Sequence, residues 1–375
     1  MMNKKLGFGM MRLPLTDPDN SGSIDFTELN KMVDAYLENG FTYFDTAWMY
    51  CDGKSEEAVK QALVMRHPRE SFTITTKLPS YMLKNLEDRD YVFNEQLRKT
   101  GAGYFDYYLI HDVNSGSIPT FERLDCFNWL KEKKEQGLVK KAGFSFHDGP
   151  ELLDRILTDY PWLEFVQLQL NYLDWDSAGV QSRACYEVAL KHNKAIFVME
   201  PVKGGMLANV PQEVSEMFKK YAPSMSVPSW AIRFAASLEN VELVLSGMSN
   251  MQQLNDNMSY MSDFVPLSEE EITMVHKAAE IINSDIAIAC TGCAYCVVDC
   301  PKNIPIPKYF SLYNADLKER VNNKGWTAQT GYFGTLTAKF GKPSECIGCG
   351  KCEKMCPQHL HIRDYLKDVA AHFEG

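Results

Sequence analysis

The sequence predicts an α/β fold in two parts: a closed (β/α)8 TIM barrel over residues 1–283 and a small, mainly helical domain over residues 284–375. Two observations carry this prediction. Short β-rich runs alternate with helical patterns through the first part, which is typical of repeated βα units, and its length matches one eight-stranded barrel. Eight of the eleven cysteines then lie between residues 290 and 356, in a region without that alternation.

Eight runs between turn signals are predicted to form the barrel strands. They are Leu6–Met10, Tyr43–Asp45, Phe72–Lys77, Tyr107–His111, Lys141–Phe146, Phe165–Gln169, Ala195–Glu200 and Leu243–Ser246. An open, doubly wound sheet is the alternative. The strand count favours the barrel, and so does the lack of G-x-G-x-x-G after the first strand, where Arg12 stands in place of the third glycine.

Helical patterns fill the intervals between these strands. Asp25 is predicted to cap the helix Phe26–Glu38, with Glu28 as its capping-box partner, and Ser55 is predicted to cap Glu56–Arg66. The further predicted helices are Arg123–Gln136, Ser177–His192, Ser226–Leu238, one within Leu267–Ser284, and Lys308–Val321. The segment Thr327–Phe340 has no clear periodicity, and its structure stays open.

Charge and hydropathy exclude several partners. The net charge of −10 argues against nucleic acid as a partner. No apolar run approaches the ~20 residues that span a bilayer, so no membrane partner is expected. The N-terminal sequence MMNKKLGFGMMRLP lacks the apolar segment of a signal peptide.

The eight C-terminal cysteines form two copies of C-x2-C-x2-C-x3-C-P, the spacing that holds two 4Fe–4S clusters in bacterial ferredoxins. The first copy is Cys290, Cys293, Cys296 and Cys300; the second is Cys346, Cys349, Cys352 and Cys356. The fourth cysteine of each run usually binds the other cluster. We therefore predict that Cys356 completes the first cluster and Cys300 the second, in a ferredoxin-like domain. Iron–sulfur clusters with exposed thiolates survive best in a reducing compartment, so this cysteine-rich region leads us to expect a cytoplasmic protein.

Zinc and disulfides are the alternatives for these cysteines. Two zinc sites would use eight cysteines but would require neither the third cysteine of each run nor the C-P ending. Disulfides are typical of secreted proteins. The remaining Cys51, Cys126 and Cys185 are predicted to pack in apolar surroundings.

Polar residues end three predicted strands, and barrel active sites are built at such strand ends. Asp45, Lys77 and His111 end the second, third and fourth strands, and Tyr50 lies in the loop after Asp45. Taken singly, Asp45 could be a helix cap, Lys77 a solvated side chain and Tyr50 ordinary packing. Three charged or polar strand ends in succession favour an active site.

These four residue types suit the reduction of a carbonyl group. Tyr50 would donate a proton to the developing alkoxide, and Lys77 would ease that donation by favouring the tyrosinate. Asp45 would orient Lys77, and His111 would hydrogen-bond the carbonyl oxygen. The substrate is expected to be a small organic molecule.

The chain resembles the aldo-keto reductases over about residues 1–283. The motifs that carry the resemblance, in matching order, are Gly7-x-Gly9-x-x-Arg12-Leu13-Pro14, Asp45-Thr46-Ala47-x-x-Tyr50, Lys77, Tyr107-Tyr108-Leu109-Ile110-His111, Gly143-Phe144-Ser145 and Gly247-Met248-Ser249. The resemblance implies that the four residues named above reduce a carbonyl with a nicotinamide cofactor, NAD(P)H. The whole chain is similar to the subgroup with a ferredoxin-like C-terminal extension.

The resemblance also implies where the nicotinamide would bind. Ser145 and Gln167 match the residues that hold its amide, although Phe146 stands where the family often has asparagine. Met199 stands where the family often stacks a tyrosine on the ring. Lys203 follows in a glycine-containing loop that could approach a phosphate.

A second set of positions follows the last strand, where a helix N-terminus could bind a phosphate. The set comprises Gly247, Ser249, Asn250, Gln253 and Asn257. Asn257 matches a residue that contacts adenine. Gln253 falls where an arginine often binds the 2′-phosphate, so the sequence does not favour NADP over NAD.

Electron stoichiometry raises a further possibility, because hydride transfer moves two electrons and a 4Fe–4S cluster carries one. A flavin such as FMN accepts both, so a flavin- or ferredoxin-linked reductase of the same fold is one alternative. A redox-sensing adaptor protein without turnover is another. The intact set of four catalytic candidates argues against the adaptor.

Overall fold

The computed structural model describes residues 4–284, 287–288, 290, 292, 294–321, 323–356 and 359–375. Eight parallel strands close into one barrel in chain order. The strands are β1 (Leu6–Gly9), β2 (Tyr43–Asp45), β3 (Thr73–Pro79), β4 (Phe105–Val113), β5 (Val139–Phe146), β6 (Phe165–Gln169), β7 (Ala195–Met199) and β8 (Val241–Gly247). Every predicted strand is present, with its ends shifted by two residues at most, so the barrel prediction is confirmed.

Eleven helices of the barrel region surround or connect these strands in the described ranges. They are α1 (Phe26–Glu38), α2 (Ser55–Val59), α3 (Glu87–Thr100), α4 (Ile118–Arg123), α5 (Cys126–Glu135), α6 (Pro150–Asp159), α7 (Ser182–Lys191), α8 (Gln212–Tyr221), α9 (Val227–Ser237), α10 (Met251–Met261) and α11 (Glu269–Ser284). A π-helical turn, Lys60–Val64, continues α2. The loop after β7 contains a 3-10 turn, Lys203–Ala208.

Helix ends differ from the predictions at several points, and the helix predicted over Ser177–His192 begins only at Ser182. The predicted helix Arg123–Gln136 is broken before α5, because Asp125 adopts a left-handed conformation with φ 48°. Ser55 lies inside α2 instead of capping it, and its hydroxyl is shared between the Thr46 hydroxyl (2.7 Å) and the Met10 carbonyl (2.9 Å). Asp25 does cap α1, but Glu28 accepts a hydrogen bond from the Met251 amide (3.1 Å) rather than completing a capping box.

The barrel interior is packed with aromatic and aliphatic side chains. This interior cluster consists of Tyr43, Leu109, Phe165, Phe197, Leu243 and Leu245. The rings of Phe165 and Phe197 stack with their centroids 4.5 Å apart. Gly143 is required beside them, since a Cβ atom there would lie 2.5 Å from the Phe165 carbonyl oxygen. The interior is therefore a packed core, and the active sites of this fold lie at the carboxyl ends of the strands.

The C-terminal region is helical. Its helices are α12 (Tyr295–Val298), α13 (Ile306–Arg320), α14 (Ala328–Lys339), α15 (Lys351–Met355) and α16 (Ile362–Phe373). The segment that showed no clear periodicity is α14, and Thr327 caps it by accepting a hydrogen bond from the Thr330 amide (3.3 Å). The region has its own apolar core, which includes Tyr309, Phe310, Phe333 and Leu366.

Helices α13 and α14 pack against the loops that follow β5, β6 and β7. Lys339 forms an ion pair with Asp148 (2.8 Å), and the ring of Tyr332 meets the ring of His147 edge-on at 5.7 Å. The C-terminal region thus lies against the same end of the barrel as the predicted catalytic residues. Within the described ranges, no helix is long and apolar enough to span a bilayer.

Candidate functional site

The four predicted catalytic residues meet at the carboxyl ends of neighbouring strands. The ammonium nitrogen of Lys77 lies 2.6 Å from Asp45 Oδ1 and 3.3 Å from the Tyr50 hydroxyl. It also donates to the Thr46 carbonyl (2.9 Å). The ring of His111 faces the ring of Tyr50 edge-on, with centroids 6.2 Å apart. One lysine therefore links the carboxylate to the phenol.

Local backbone geometry brings Tyr50 over this group. Asp45 ends β2 and Lys77 lies on the paired strand β3, so both positions follow from sheet register. Tyr50 instead lies in a turn, where Cys51 and Asp52 both have φ 52°. The left-handed pair reverses the chain before α2, and the phenol consequently points back toward the strand ends.

Burial sets the protonation of these groups. Burial raises the pKa of Tyr50, and the nearby Lys77 charge only partly opposes that rise, so the phenol is protonated at neutral pH. Burial disfavours the charge on Lys77, but attraction to Asp45 and Tyr50 outweighs it and the pKa of Lys77 is raised. Burial, followed by the Lys77 charge, lowers the pKa of His111 well below its usual value, so its imidazole is neutral. The site therefore holds a protonated phenol beside a cation and a neutral imidazole.

Ser145 on β5 and Gln167 on β6 lie side by side as register partners. Both are almost fully buried, at 1% and 3% exposure. The Gln167 side-chain oxygen has no hydrogen-bond partner in the described part of the chain. The Ser145 hydroxyl oxygen accepts from the Asp112 amide (2.8 Å), which leaves its own hydrogen to donate. A carboxamide would satisfy both groups, since it presents an N–H donor and a carbonyl acceptor.

Met199 and Phe146 differ from the residues that the resemblance implies at these strands, and only Met199 lies at the candidate site. Met199 ends β7 and is half-buried beside the strand ends. Phe146 is 1% exposed and belongs to the apolar core outside the barrel lumen, so it does not enter the site. The presence of phenylalanine there changes packing rather than the polar groups available to a cofactor.

The predicted phosphate segment after β8 is held by its own hydrogen bonds. Asn250 caps α10 by accepting from the Gln253 amide (2.9 Å), while the Gln253 side-chain oxygen accepts from the Ser249 amide (2.7 Å). Glu28 accepts from Met251, also at this helix start. The backbone N–H groups of Ser249, Met251 and Gln253 are therefore already hydrogen-bonded, and one of their acceptors is the negatively charged Glu28 carboxylate.

Asn257 is buried and satisfied within the protein. Its amide nitrogen donates to the Ser246 hydroxyl (2.9 Å), and its oxygen accepts from the Tyr260 hydroxyl. Gly247 is exposed and lies against Arg12, whose Cβ would be 3.1 Å from a Cβ built on the glycine. Arg12 is an exposed cation that the site predictions omitted, although it belongs to the first sequence motif.

Two further polar residues at the barrel mouth were also omitted. His147 directly follows β5, and its charge contributes, after burial and Lys77, to the low pKa of His111. Glu200 directly follows β7, and its charge is one of the smaller contributions to the raised pKa of Tyr50. The signal for both was present in the sequence, because Glu200 ends a predicted strand as Asp45 does and His147 directly follows one.

A second buried lysine lies where the barrel meets the C-terminal region. Lys203 is 1% exposed, and its ammonium nitrogen lies 2.6 Å from Asp174 Oδ1. Asp174 Oδ2 accepts from Gln169 and Asn171, each at 2.9 Å. Lys203 is therefore committed to a carboxylate, and the expectation that it approaches a phosphate is wrong.

This ion pair continues into the C-terminal helices. With its amide oriented to satisfy both neighbours, Gln329 of α14 accepts from Lys203 Nζ (2.6 Å) and donates to Glu319 of α13 (2.7 Å). Burial raises the pKa of Glu319 to about 7. Asp174, Lys203, Gln329 and Glu319 are hereafter called the bridging network, because they connect the β6 and β7 loops to two helices of the C-terminal region.

Four predicted cluster ligands line one pocket. Cys300, Cys346, Cys349 and Cys352 line the same pocket, which is partly open to solvent. These four are free thiols. Cys300 comes from the first run and the other three from the second, as the predicted exchange of fourth ligands requires. This donor set and enclosure fit a cubane cluster.

The other predicted ligand set is described in part. Cys296 and Cys356 are buried and Cys290 is half-buried, whereas Cys293 lies outside the described residues. In the described part of the chain, no three His, Cys, Asp or Glu side chains form a group suited to a single metal ion. The three scattered cysteines Cys51, Cys126 and Cys185 are buried in the barrel core, as predicted.

Comparison with known proteins matches both parts of the chain. Residues 5–280 match the model of the aldo/keto reductase family, and residues 289–362 match a 4Fe–4S dicluster domain. The chain is 23% identical over 282 residues to the uncharacterized oxidoreductase YqkF of Bacillus subtilis, covering 66% of this chain and 87% of the relative. It is 24% identical over 245 residues to an aldo-keto reductase of Mycolicibacterium smegmatis, covering 63% and 78%.

Solved structures share the barrel fold. An aldo-keto reductase from Bacillus halodurans in its holo form aligns with a TM-score of 0.57 at 21% identity, over 73% of this chain and 91% of that chain. An aldo-keto reductase from Klebsiella pneumoniae in complex with NADPH aligns with a TM-score of 0.56 at 18% identity, over 73% and 90%. The chain therefore belongs to the aldo/keto reductase family, and it is an oxidoreductase that carries a C-terminal 4Fe–4S dicluster domain.

Proposed function

We propose that this protein reduces the carbonyl group of a small organic molecule, with Tyr50 as the general acid and NAD(P)H as the hydride donor. The observation that carries the proposal is the position of Lys77, whose buried ammonium contacts both Asp45 and the Tyr50 hydroxyl. This arrangement allows a phenol to release its proton at neutral pH, because the adjacent cation stabilises the tyrosinate that remains.

Each residue then has a defined task. Tyr50 donates its proton to the oxygen of the carbonyl as negative charge develops there. Lys77 stabilises the phenolate, and Asp45 keeps Lys77 charged and in place. His111, which is neutral, donates a ring N–H to the same oxygen and so polarises the carbonyl without competing for the proton. When bound, a reduced nicotinamide supplies the hydride.

The residues that would hold the nicotinamide end are Ser145, Gln167 and Met199. The unpartnered Gln167 oxygen suits the carboxamide N–H, the Ser145 hydroxyl suits its carbonyl, and the Met199 thioether can pack on the ring. The Klebsiella pneumoniae relative binds NADPH. In this chain Gln253 carries no charge for a 2′-phosphate, so we propose no preference between NADH and NADPH.

The far end of the cofactor is assigned to the β8–α10 segment. Gly247, Ser249, Asn250, Gln253 and Asn257 were predicted for it, and Arg12 adds the cation that a phosphate requires. Binding there would have to replace the hydrogen bonds of Ser249 and Gln253, and Glu28 would oppose an anion. We therefore expect weak binding of the phosphates compared with the nicotinamide.

The C-terminal cysteines would hold two 4Fe–4S clusters that carry single electrons. Such clusters persist best in a reducing compartment, which favours the cytoplasm. A cluster carries one electron and a hydride carries two, so coupling them requires a group that can transfer electrons singly and in pairs. A flavin has this property, and the flavin-linked alternative therefore stays a prediction from stoichiometry. Flavin analysis of anaerobically purified protein would test it.

The proposal is tested by turnover of the reconstituted holoenzyme, measured anaerobically with NADH or NADPH and a panel of aldehydes and ketones. We expect Tyr50→Phe to lower kcat by about 10²–10⁴-fold, the usual contribution of a general acid. Tyr91→Phe is the matched control, since Tyr91 is 59% exposed on α3. Undiminished turnover in the Tyr50 variant would overturn the general-acid role.

A further inference from the structure

One predicted cluster ligand lies at the protein surface among unpaired lysines. Cys349 is the most exposed cysteine described in the second run, and Ile347 beside it is 61% exposed. Lys302 and Lys351 line the same pocket, and Lys354 follows one helical turn after Lys351 on α15. These residues, Lys302, Ile347, Cys349, Lys351 and Lys354, are called the Cys349 face.

The lysines of this face are not neutralised by their neighbours. Within residues 294–321, 323–356 and 359–375, no ion pair involves Lys302, Lys351 or Lys354. The acidic residue on the same helix, Glu353, is occupied by Arg363, which lies 2.8 Å away. Of the acids close to these residues in sequence, Glu345 accepts from the Lys342 amide (2.8 Å) and Asp299 is exposed.

The unpaired lysines of this face lie in the less acidic part of the chain. Residues 284–375 carry 11 Lys or Arg and 9 Asp or Glu, whereas residues 1–283 carry 28 and 40. The thiolate-bound clusters would add negative charge to the C-terminal region, so the attraction of an acidic partner rests on the three surface lysines rather than on the net charge of the region. An acidic partner is therefore repelled by most of the molecule and attracted to the Cys349 face. Such a field directs encounter toward one orientation.

The composition of this face also suits electron exchange. The rate of electron transfer falls steeply with distance, so an exposed ligand gives a cluster its shortest route to a partner. The apolar side chain of Ile347 can be desolvated at the centre of a contact, while the lysines form a charged rim. A small contact of this kind is typical of transient redox complexes.

We infer that the Cys349 face is the docking site of a small acidic electron-carrier protein, of the ferredoxin class, that delivers one electron at a time. The carrier is oxidised by one electron as the cluster held by Cys300, Cys346, Cys349 and Cys352 is reduced by one, and no proton or bond is transferred. This inference rests on the proposed function insofar as that cluster must be present.

The test is stopped-flow reduction of the anaerobic holoenzyme by a reduced, acidic two-cluster bacterial ferredoxin, followed by the cluster absorbance. The variant is Lys302→Glu/Lys351→Glu/Lys354→Glu. The matched control is Lys131→Glu/Lys219→Glu/Lys220→Glu, which makes the same charge change at exposed lysines of the barrel helices. Reduction by dithionite, which requires no docking, reports whether the clusters remain intact.

We expect the variant to lower the second-order rate constant about 10- to 100-fold at low ionic strength, and the control to change it less than about twofold. The wild-type rate should fall as salt is added, and the variant should lose that dependence. The potential of the cluster, measured by a redox titration followed by EPR, should be unchanged.

Three results would overturn the inference: no reduction of the wild type by ferredoxin while dithionite reduces it, equal slowing in the control, or a cluster potential shift that accounts for the slower rate. None of these touches the carbonyl reduction tested with NAD(P)H. Failure to assemble clusters at all would instead overturn the cluster part of the proposed function.

Discussion

Two buried lysine–aspartate pairs in this protein have nearly the same geometry. Lys77–Asp45 and Lys203–Asp174 each have a 2.6 Å contact, and in each the lysine side chain is 1% exposed and the aspartate side chain 3%. Charge, distance and burial therefore do not distinguish them. Their remaining contacts do, because the ammonium of Lys77 continues to Tyr50 whereas that of Lys203 continues to Gln329.

The further contact of each lysine indicates its role: catalysis for Lys77 and packing of the C-terminal region for Lys203. Lys77 lies on strand β3, and it acts on a phenol that faces the barrel mouth. Lys203 lies in the loop after β7 at φ 47°, and through Gln329 it reaches Glu319 on a helix of the C-terminal region. A buried pair has high cost when one member is removed, because the other is left uncompensated. A buried lysine–aspartate ion pair thus supports catalysis at one site and holds the C-terminal region against the barrel at the other.

Removing Lys77 should have the largest effect on rate. We expect Lys77→Met to lower kcat by about 10³-fold or more, equivalent to about 4 kcal/mol of transition-state stabilisation, because the phenol loses the cation that eases its ionisation. Steady-state kinetics of folded, cluster-loaded protein measures this. Lys31→Met serves as control, since Lys31 is exposed on α1. An unchanged kcat would show that the pair is structural, like its counterpart.

Removing Lys203 should instead act on stability. We expect Lys203→Met to lower the free energy of unfolding by about 3–5 kcal/mol, since Asp174 is left buried and uncompensated. The double variant Lys203→Met/Asp174→Leu should recover part of the loss, because both charges are gone although Gln169 and Asn171 lose this acceptor. Urea denaturation followed by fluorescence measures both. A kcat loss in the double variant as large as that of Lys77→Met would remove the distinction drawn between the pairs.

The smallest effect concerns Glu319 and pH. Its pKa in the fold is about 7, raised from 4.5 chiefly by burial. Between these values the folded state holds a proton that the unfolded state has released, so this carboxyl lowers stability as pH rises from about 5 to 7. Lys203, Glu200 and Asp316 face the same group and set the size of the effect.

Thermal unfolding from pH 5 to pH 8 measures this dependence. We expect Glu319→Gln to flatten the profile and to raise Tm by a few degrees, about 2–4 °C, relative to wild type at pH 8. Glu57→Gln, at an exposed position on α2, should leave the profile unchanged. Parallel profiles for wild type and Glu319→Gln would show that Glu319 is ionised throughout, as an ordinary surface glutamate would be.

Much of the site was predictable because it follows from local order along the chain. Asp45, Lys77 and His111 lie at or within two residues of the carboxyl ends of successive strands, and adjacent parallel strands bring such ends together without further information. Glu200 ends a predicted strand and His147 directly follows one, so the same pattern also predicts these two residues at the barrel mouth.

Other parts could not be read from the sequence. The break before α5 depends on the left-handed conformation of Asp125. Ser55 is a residue type that often caps helices, but its hydroxyl instead forms hydrogen bonds with the Met10 carbonyl and the Thr46 hydroxyl. The occupied donors around Asn250 depend on Glu28, more than 200 residues away in sequence. Each of these results from a competition among partners that only the folded chain brings together.

The sequence by itself determined the strand order, the identity of the four catalytic candidates and the cysteine spacing of the cluster ligands, because periodicity and short-range spacing encode them. The tertiary structure decided which polar groups share a buried environment. It matched Lys77 with Tyr50, diverted Lys203 to Asp174 and Gln329, and placed Cys349 at the surface among lysines. The burial of a charged side chain, and the contacts it makes beyond its ion pair, depend on packing between distant segments, and no local pattern specifies them.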